Sequence, residues 1–463
     1  MPARVCYDLP MLNLAPFVRT LNGAPVAVLG LGRSGRTAVR ALVAAGARVW
    51  AWDDAAKARE SVGAAYVRDL AGVGACGALV LSPGVPLDHP VAMAARAAGV
   101  EVLGDIEILG RLGLAQKIVA ITGTNGKSTT AALTAHIARA CGADVALGGN
   151  IGAPVLDLDA PRDAFVLEVS SFQADLCTRF APDAAALTNL EPDHLARHGS
   201  FAAYIAAKER LFRGPGLAVI GVDGAESAAF ARRVAANRRV VPVSVERAVE
   251  GVWVRADGVL MDGGQEIAGL EPIATLKGRH NWQNAAVAAA LVIHALDLPR
   301  EGVARALETW GGLPHRQFLV RRVGNVAYVN DSKGTNLPAT ATALAAFDTI
   351  YWIAGGAARE VDLEPLVPYL PRVRHAFLMG ASAPALAAFL ERHGAPYTAC
   401  ETLAPAVSAA HAAAQEGGGP ATVLFSPAYQ SFDQFRDFED RGEQFAALVR
   451  SLPAGPLAQN PRA

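Results

Sequence analysis

Cysteine is scarce. The chain has five in 463 residues, Cys6, Cys76, Cys141, Cys177 and Cys400, an odd number spread far apart and without a C-x-x-C pair. That excludes a disulfide framework and the common zinc-ligand spacings, and points to a reducing compartment. No run of eighteen apolar residues occurs, and the opening stretch "MPARVCYDLPMLNLAPFVR" has no continuous apolar segment, so neither a membrane span nor an export signal is expected. An excess of one charge is missing too. With 42 basic against 43 acidic side chains, no net field is available to hold nucleic acid or an anionic membrane. The expectation is a soluble cytoplasmic protein that takes no nucleic acid and inserts into no membrane.

What is present is an alanine-rich α/β pattern, 52% hydrophobic and 18% charged, with no repeat of fixed period. A length of 463 residues suggests about three domains. Strand and helix signals alternate from "VAVLG" and "RTAVRALVAAG" through "RVWAWDD" and "ALVLSPGV" to "PVAMAARAAGVEVLG", the order that favours a parallel sheet covered by helices. The pattern restarts at "KIVAITGTNGKSTTAALTAHIARACG", placing a first boundary near Gly113. The middle region continues with strands "DAFVLEVSS" and "DAAALTNL", a helix at "FAAYIAAKERLF", an irregular β-like part at "GVWVRADGVLMDGG" and a helix at "NWQNAAVAAALVIHAL". The Gly/Pro break "GGLPHR" opens a third α/β unit with strands in "VAYVNDSKGTN", "TIYWIAGG", "HAFLMG" and "ATVLFSPA". Domains 1–113, 114–312 and 313–463 are expected, the last ending in a Pro-rich tail from Ser451 that should fray.

Two Gly-rich loops follow apolar strands. "GLGRSG", Gly30 to Gly35, with Asp53 and Asp54 about twenty residues on, fits a turn that admits a diphosphate to a helix N-terminus while an acidic residue meets a ribose. Alone it fits a nicotinamide cofactor, another diphosphate nucleotide or a ligand-free tight turn. "TGTNGKST" is more specific. The amides of Gly123, Thr124, Asn125 and Gly126 can surround phosphate oxygens, Lys127 supplies charge at the β/γ end, and Ser128 or Thr129 offers a hydroxyl to Mg²⁺. Two cradles in one chain suit two nucleotide-bearing molecules, one an energy source and one a substrate on a nucleotide handle.

"TGTNGKST" followed in order by "EVSSFQ", "PDHLARHGS", "AAK", "HNWQN", "PHR" and "NDSKGTN" resembles the Mur ligase family of ATP-dependent amide-forming enzymes. "SPAYQSFDQFRDFEDRGEQF" is similar to the branch that joins glutamate to UDP-N-acetylmuramoyl-L-alanine, and the likeness runs from Gly30 to Phe445. The resemblance implies three domains: an N-terminal Rossmann-like unit holding the UDP substrate, a central P-loop ATPase-type mononucleotide-binding fold, and a C-terminal Rossmann-like unit that closes on ATP. It also implies a monomer.

Placed on this sequence, the resemblance makes Lys127, Glu168, His194 and Lys208 the catalytic set. Ser128, Glu168, His194 and Lys208 would hold Mg²⁺, the lysine as a carbamate, because a bare ammonium cannot ligate a cation. On its own, Glu168 closes an apolar strand and lies beside the P-loop strand if the sheet is parallel; a buried carboxylate there needs a partner. Read without the family, Lys208 would be a solvated helix lysine. For ATP the resemblance adds Asn284, Arg316 and Asp331, the last on the ribose. For glutamate it indicates Lys333, Thr335, Ser431, Phe432 and Phe438. The D-glutamate branch commonly has a lysine four residues after the first glycine of its "GG" motif, where this chain has Arg359. Arginine keeps the charge with a different fork, so the stereochemistry of the amino acid stays open between D- and L-glutamate. For the UDP sugar the matching positions are Ser34, Gly35, Asp53, Asp54, Ser82, Gly84 and Asn150. A nicotinamide dehydrogenase would leave Lys127, Glu168 and His194 without purpose. A P-loop switch would leave the C-terminal motif unused, and a folylpolyglutamate synthetase lacks both the N-terminal unit and "SPAYQSFDQF".

Overall fold

A computed structural model describes residues 12–453; Cys6 and the Pro-rich tail beyond Pro453 lie outside them. The chain forms two compact units, one up to Trp310 and one from Gly311 onward. The first carries two sheets and the second carries one. The fold is α/β, as its alternating pattern indicated.

The first sheet holds β1 (Val26–Leu29), β2 (Val49–Trp52), β3 (Ala78–Leu81) and β4 (Glu101–Leu103), all parallel, in the order β2-β1-β3-β4. β1 and β3 are buried at every position, which explains why "VAVL" and "ALVL" are apolar runs without alternation. Helix Arg33–Ala44 turns Ala38, Val39, Ala41 and Leu42 inward. Gly35 on that helix lies so close to β1 that a Cβ would overlap the carbonyl oxygen of Gly30, the close helix–strand approach for which the last glycine of such loops is kept.

The second sheet contains β5 (Lys117–Thr122), β6 (Val145–Gly149), β7 (Ala164–Glu168), β8 (Ala184–Leu187), β9 (Leu217–Gly221), β10 (Arg239–Ser244), β11 (Val252–Val254), β12 (Val259–Asp262) and β13 (Gln265–Gly269). Its order is β13-β12-β11-β10-β9-β8-β5-β7-β6. The pairs from β6 to β11 are parallel, and the irregular β-like stretch of the sequence is the antiparallel edge β11-β12-β13. Helices Lys127–Ala140 and Arg279–His294, each with five alanines, pack on each other; small side chains permit that close approach.

The third sheet holds β14 (Phe318–Val323), β15 (Val326–Asn330), β16 (Ile350–Gly355), β17 (Val373–Met379), β18 (Tyr397–Glu401) and β19 (Ala421–Phe425), ordered β14-β15-β19-β16-β17-β18. Only the β14-β15 pair is antiparallel. Separate apolar clusters cover its two faces, one around Trp352 and Leu424, the other around Phe425 and Phe445. Cys76, Cys177 and Cys400 are buried, Cys141 is partly so, and none of the four is disulfide-bonded. No described helix is long and apolar enough to cross a membrane.

Gly35→Ala should therefore cost about 2–4 kcal/mol. Thermal melts should show an earlier transition, and an unshifted melt would mean that the helix can back away from β1.

Candidate active site

In the first two sheets the strand order reverses beside the opening strand, and in the third β19 is inserted between β15 and β16; loops leave the carboxyl ends of the strands on either side of these points, where α/β sheets form their ligand crevices. In the first sheet these are the loops after β1 and β3. The Ser82 hydroxyl donates to the Gly30 carbonyl at 2.7 Å. Asp53, after β2, accepts the Leu31 amide at 2.7 Å, so this carboxylate caps the Gly-rich loop directly. Asp54 points outward and meets His89 Nε2 at 3.1 Å and Trp52 Nε1 at 3.3 Å. Ser34 and buried Gly35 begin the helix, and Gly84 is exposed with open space around it.

The second crevice is more elaborate. β5 pairs with β7 so that Ile121 faces Glu168, and with β8 so that Thr122 faces Leu187. The loop after β5 is thus flanked by the ends of both neighbours. Asn125 N–H donates to Asn189 Oδ1 at 2.8 Å, and Thr188 Oγ1 donates to the Asn125 carbonyl at 2.6 Å. Gly126, at φ +80°, has no room for a Cβ because Asn284 Oδ1 lies against it. It caps a fourteen-residue helix, Lys127–Ala140, whose N-terminal amides and dipole suit phosphate. Ser128 and Thr129 are buried in its first turn.

Two lysines meet at one carbonyl. Lys127 Nζ donates to the carbonyls of Gly123 at 3.0 Å and Thr124 at 2.7 Å. Lys208 Nζ donates to the same Gly123 oxygen at 2.8 Å and to Thr122 Oγ1 at 3.3 Å. Lys208 is 1% exposed, and burial, with repulsion from Lys127, brings its ammonium pKa down to about 6. At neutral pH most of it is the free amine, a nucleophile.

Glu168 is equally buried, at 1%. Its Oε1 accepts Asn150 Nδ2 at 2.8 Å, while its Oε2 has no hydrogen-bond partner. An unpaired buried carboxylate oxygen is unusual and suits a hard cation. His194 is held at φ +51°, a conformation that costs a non-glycine residue roughly 1–3 kcal/mol, with its ring 4.9 Å from that of Phe172. Among the described residues no three His, Cys, Asp or Glu side chains converge as a metal cluster. A cation at Glu168 would therefore also need a hydroxyl, a modified lysine, phosphate or water.

In the second unit the third crevice gathers Asp331 after β15 and Ser426 after β19. The Ser426 hydroxyl donates to Asp331 Oδ2 at 2.7 Å and the Gln317 amide to Asp331 Oδ1 at 3.1 Å. Burial pushes the Asp331 carboxyl up to about 6, against the pull of Ser426, Gln317 and the Arg316 charge. His315 (φ +61°) and Gln317 (φ +46°), on either side of Arg316, and Ala428 (φ +65°) in the β19 loop are left-handed. Lys333 Nζ lies 5.6 Å from the centre of the Phe438 ring, and the Thr335 amide donates to the Lys333 carbonyl at 2.8 Å. Ser431 is buried, whereas Phe432 is 66% exposed. Arg359 is exposed after β16; burial raises the phenol pKa of Tyr429, and the Arg359 charge offsets only part of that rise.

Residues 121–292 match the family described as Mur ligase middle domain. A UDP-N-acetylmuramoylalanine--D-glutamate ligase from Phenylobacterium zucineum is 45% identical, over 95% of this chain and 98% of the relative. The chain belongs to the Mur ligase family. A ligase of the same name from Nitrobacter winogradskyi is 47% identical, over 94% of this chain and 98% of its own length. In fold, the chain is similar to the UDP-N-acetylmuramate-alanine ligase of Thermotoga maritima, with a TM-score of 0.56 at 16% identity over 92% of this chain and 99% of that one. MurF from Acinetobacter baumannii gives a TM-score of 0.55 at 18% identity, covering 76% and 82%.

Several groups at the crevices of this Mur ligase carry no obvious mark in the sequence. Tyr204 bonds Thr124 Oγ1 through its hydroxyl at 3.1 Å and lies beneath Lys208 Nζ, 4.5 Å from ring centre to nitrogen. The one available signal was its place four residues before Lys208 on the same helix. Arg441 is fully buried and donates to Ser332 Oγ, the Ser332 carbonyl and the Tyr429 carbonyl at 3.0, 2.8 and 3.1 Å. An arginine in "FEDRGEQF" reads as a surface charge, and nothing in its spacing says otherwise.

The raised Asp331 pKa means that the folded state holds this proton more tightly than the unfolded chain. The group's cost is therefore absent below about pH 4 and grows as pH rises through 6, to at most roughly 3 kcal/mol. Asp331→Asn removes the titration, so its melting temperature relative to wild type should climb between pH 4 and 7. The changed hydrogen bonding of the amide gives only a constant offset, and a difference that stays flat with pH would refute the assignment.

Proposed function

We propose that this Mur ligase joins D-glutamate to UDP-N-acetylmuramoyl-L-alanine with the hydrolysis of ATP to ADP and phosphate, a step in peptidoglycan precursor synthesis in the cytoplasm. The observation that carries this reading is the 45–47% identity, over nearly the whole chain, to ligases named for that reaction. In this reading residues 1–113 hold the UDP sugar, 114–312 hold ATP and 313–463 bind glutamate, and the enzyme works as a monomer.

A carboxylate becomes an amide only if one of its oxygens is made a leaving group. The alanyl carboxylate oxygen attacks the γ-phosphorus of ATP, the bond to the β–γ bridging oxygen breaks, and ADP leaves. The glutamate amine then adds to the acyl carbon of the acyl phosphate, loses a proton, and the tetrahedral adduct expels phosphate. The first step brings two anions together, so positive charge in a site that excludes water decides its rate. Lys127, now resting on the carbonyls of Gly123 and Thr124, would turn to the phosphates, with the amides of Gly123 to Gly126 around them. Asn284 and Arg316 would contact the nucleotide and Asp331 its ribose.

The unpaired Oε2 of Glu168 fits Mg²⁺, which Ser128, Glu168, His194 and Lys208 as a carbamate would hold. Bound there, the ion would supply charge that offsets the repulsion between carboxylate and phosphoryl group. Burial of Lys208 favours its amine form, whose lone pair can add to CO₂ with loss of one proton, giving an anionic oxygen ligand. Asn150, already on Glu168, would face the muramoyl end of the substrate. Ser34, Gly35, Asp53, Asp54, Ser82 and Gly84 would serve the uridine diphosphate, with Asp53 acting through the Leu31 amide. Lys333, Thr335, Ser431, Phe432 and Phe438 would bind glutamate, and Arg359 would pair with one of its carboxylates.

Phosphate release from ATP should require both UDP-N-acetylmuramoyl-L-alanine and D-glutamate, should exceed the L-glutamate rate at least roughly tenfold, and should fall about a thousandfold in Lys127→Ala. A preference for L-glutamate would overturn the stereochemistry, and no release with either would overturn the reaction. In ¹³C-bicarbonate, wild type should give a carbamate resonance that Lys208→Arg lacks. A wild-type spectrum without it would remove Lys208 from the ligand set.

A further inference from the structure

Between β4 and β5 the chain makes one short helix, Asp105–Gly110, and both carboxylates in its first turn are buried, Asp105 at 3% and Glu107 at 0% exposure. Neither belongs to a motif that the reaction above uses. Glu107 sits in a nest of three consecutive amides from the other side of the joint. Its Oε2 accepts the Thr178 amide at 2.9 Å and the Phe180 amide at 3.0 Å, and the Arg179 amide lies 3.1 Å from both oxygens. Oε1 also accepts Arg111 Nε at 2.8 Å and Thr178 Oγ1 at 3.1 Å. Arg111 is braced in turn by Glu101 of β4, with contacts of 2.5 and 2.8 Å. Burial works against the Glu107 charge, but Arg111 and the amides outweigh it and hold its carboxyl below the usual range.

The gripped amides end a segment that starts at Glu168. Ser170 and Gln173 close a reciprocal capping box directly after that carboxylate, Phe172 packs on the His194 ring, and residues 178–180 finish the segment in the Glu107 nest. On its other side the helix touches the substrate loop, because the Asp105 carboxyl lies beside Ser34 as well as Gln173. The helix is thus hydrogen-bonded to the segment that carries Glu168 and lies beside Ser34 in the first turn of the helix after β1. Three consecutive amides around a carboxylate are an anion-binding arrangement, filled here by the chain's own side chain. Losing that side chain leaves three amides unpaired inside the protein.

We propose that Glu107 is a positioning residue, whose seat in the amides of 178–180 fixes the spacing between the loop holding the diphosphate substrate and the Glu168 end of the ATP site. The proposal rests on the reaction assigned above. The distance from diphosphate to alanyl carboxylate is set by the substrate, so the protein must hold the matching distance between its two sheets. A loosened joint would then accept a substrate of the wrong length.

The test is a selectivity ratio, because loss of folded enzyme alone leaves a ratio unchanged. The kcat/KM values for UDP-N-acetylmuramoyl-L-alanine and UDP-N-acetylmuramoyl-β-alanine, whose carboxylate lies one methylene further out, are compared in wild type and Glu107→Gln. The ratio should shrink at least fivefold in the variant while calorimetric affinities for an ATP analogue and for the UDP substrate stay within threefold. A smaller change in ratio, or a larger loss of either affinity, overturns the proposal. Should Glu107→Gln fail to fold, Arg111→Gln, which removes the brace and leaves the nest, should shrink the ratio at least twofold, and an unchanged ratio there has the same force. A wild-type enzyme that turns over neither compound would instead overturn the reaction itself.

Discussion

The pairing of β5 with β7 sets the geometry of the ATP site. In-register parallel pairing puts Glu168 opposite Ile121, so one strand ends in a carboxylate where its neighbour opens into the Gly-rich loop. A one-residue slip would turn that carboxylate to the other face of the sheet. Both strands are apolar and deeply buried from Val119 and Ala164 onward, and that burial enforces the register. The carboxylate is carried into the protein by its strand and left there with one oxygen satisfied by Asn150 and one without a partner. The same device recurs at Ser82 and Gly30 in the first sheet and at Ser426 and Asp331 in the third, each time joining the loops of two neighbouring strands.

Low dielectric then decides protonation. Lys208 and Asp331 are both pushed toward their neutral forms chiefly by burial, while Arg441 keeps its charge in the core with carbonyl and hydroxyl acceptors and a pKa brought down by burial to about 10. These are costly placements, and left-handed residues at 194, 315, 317 and 428 add local strain. Costs of this kind gather where a fold keeps groups poised for a ligand, and the described residues place them around the candidate sites.

Much of this could be read from the chain. The α/β class, the parallel runs and the two Gly-rich loops follow from apolar strands meeting glycines, because backbone sterics and the loss of donors on burial leave few alternatives there. Glu168 was legible as a strand-end carboxylate needing a partner. Lys208 was not legible from its residues, since a lysine in an alanine-rich helix looks solvated until the sheet beneath it is known; only its resemblance to a family motif marked it. Asp53 was expected near a ribose, and its seat on the Leu31 amide depends on a loop path that spacing does not reveal. Arg441 and Glu107 escaped for the same reason: apart from Tyr429 and Arg111, their partners are main-chain groups and polar side chains some 70 to over 100 residues away, and backbone carbonyls and amides leave no trace in a sequence.

The third sheet carries a consequence for how the protein is made. β19 lies between β15 and β16, yet it is the last of the described strands in chain order. Until residues 421–425 emerge, β15 and β16 each present a bare inner edge of unpaired amides and carbonyls, and apolar side chains on both faces wait for cover. Such edges invite pairing with other chains, and non-local closure is slow. The C-terminal unit is therefore completed only once β19 has been synthesised. A chain cut short anywhere before Ala421 would lose the middle of its sheet, a far graver defect than a missing end, and would be a ready target for chaperones or proteases.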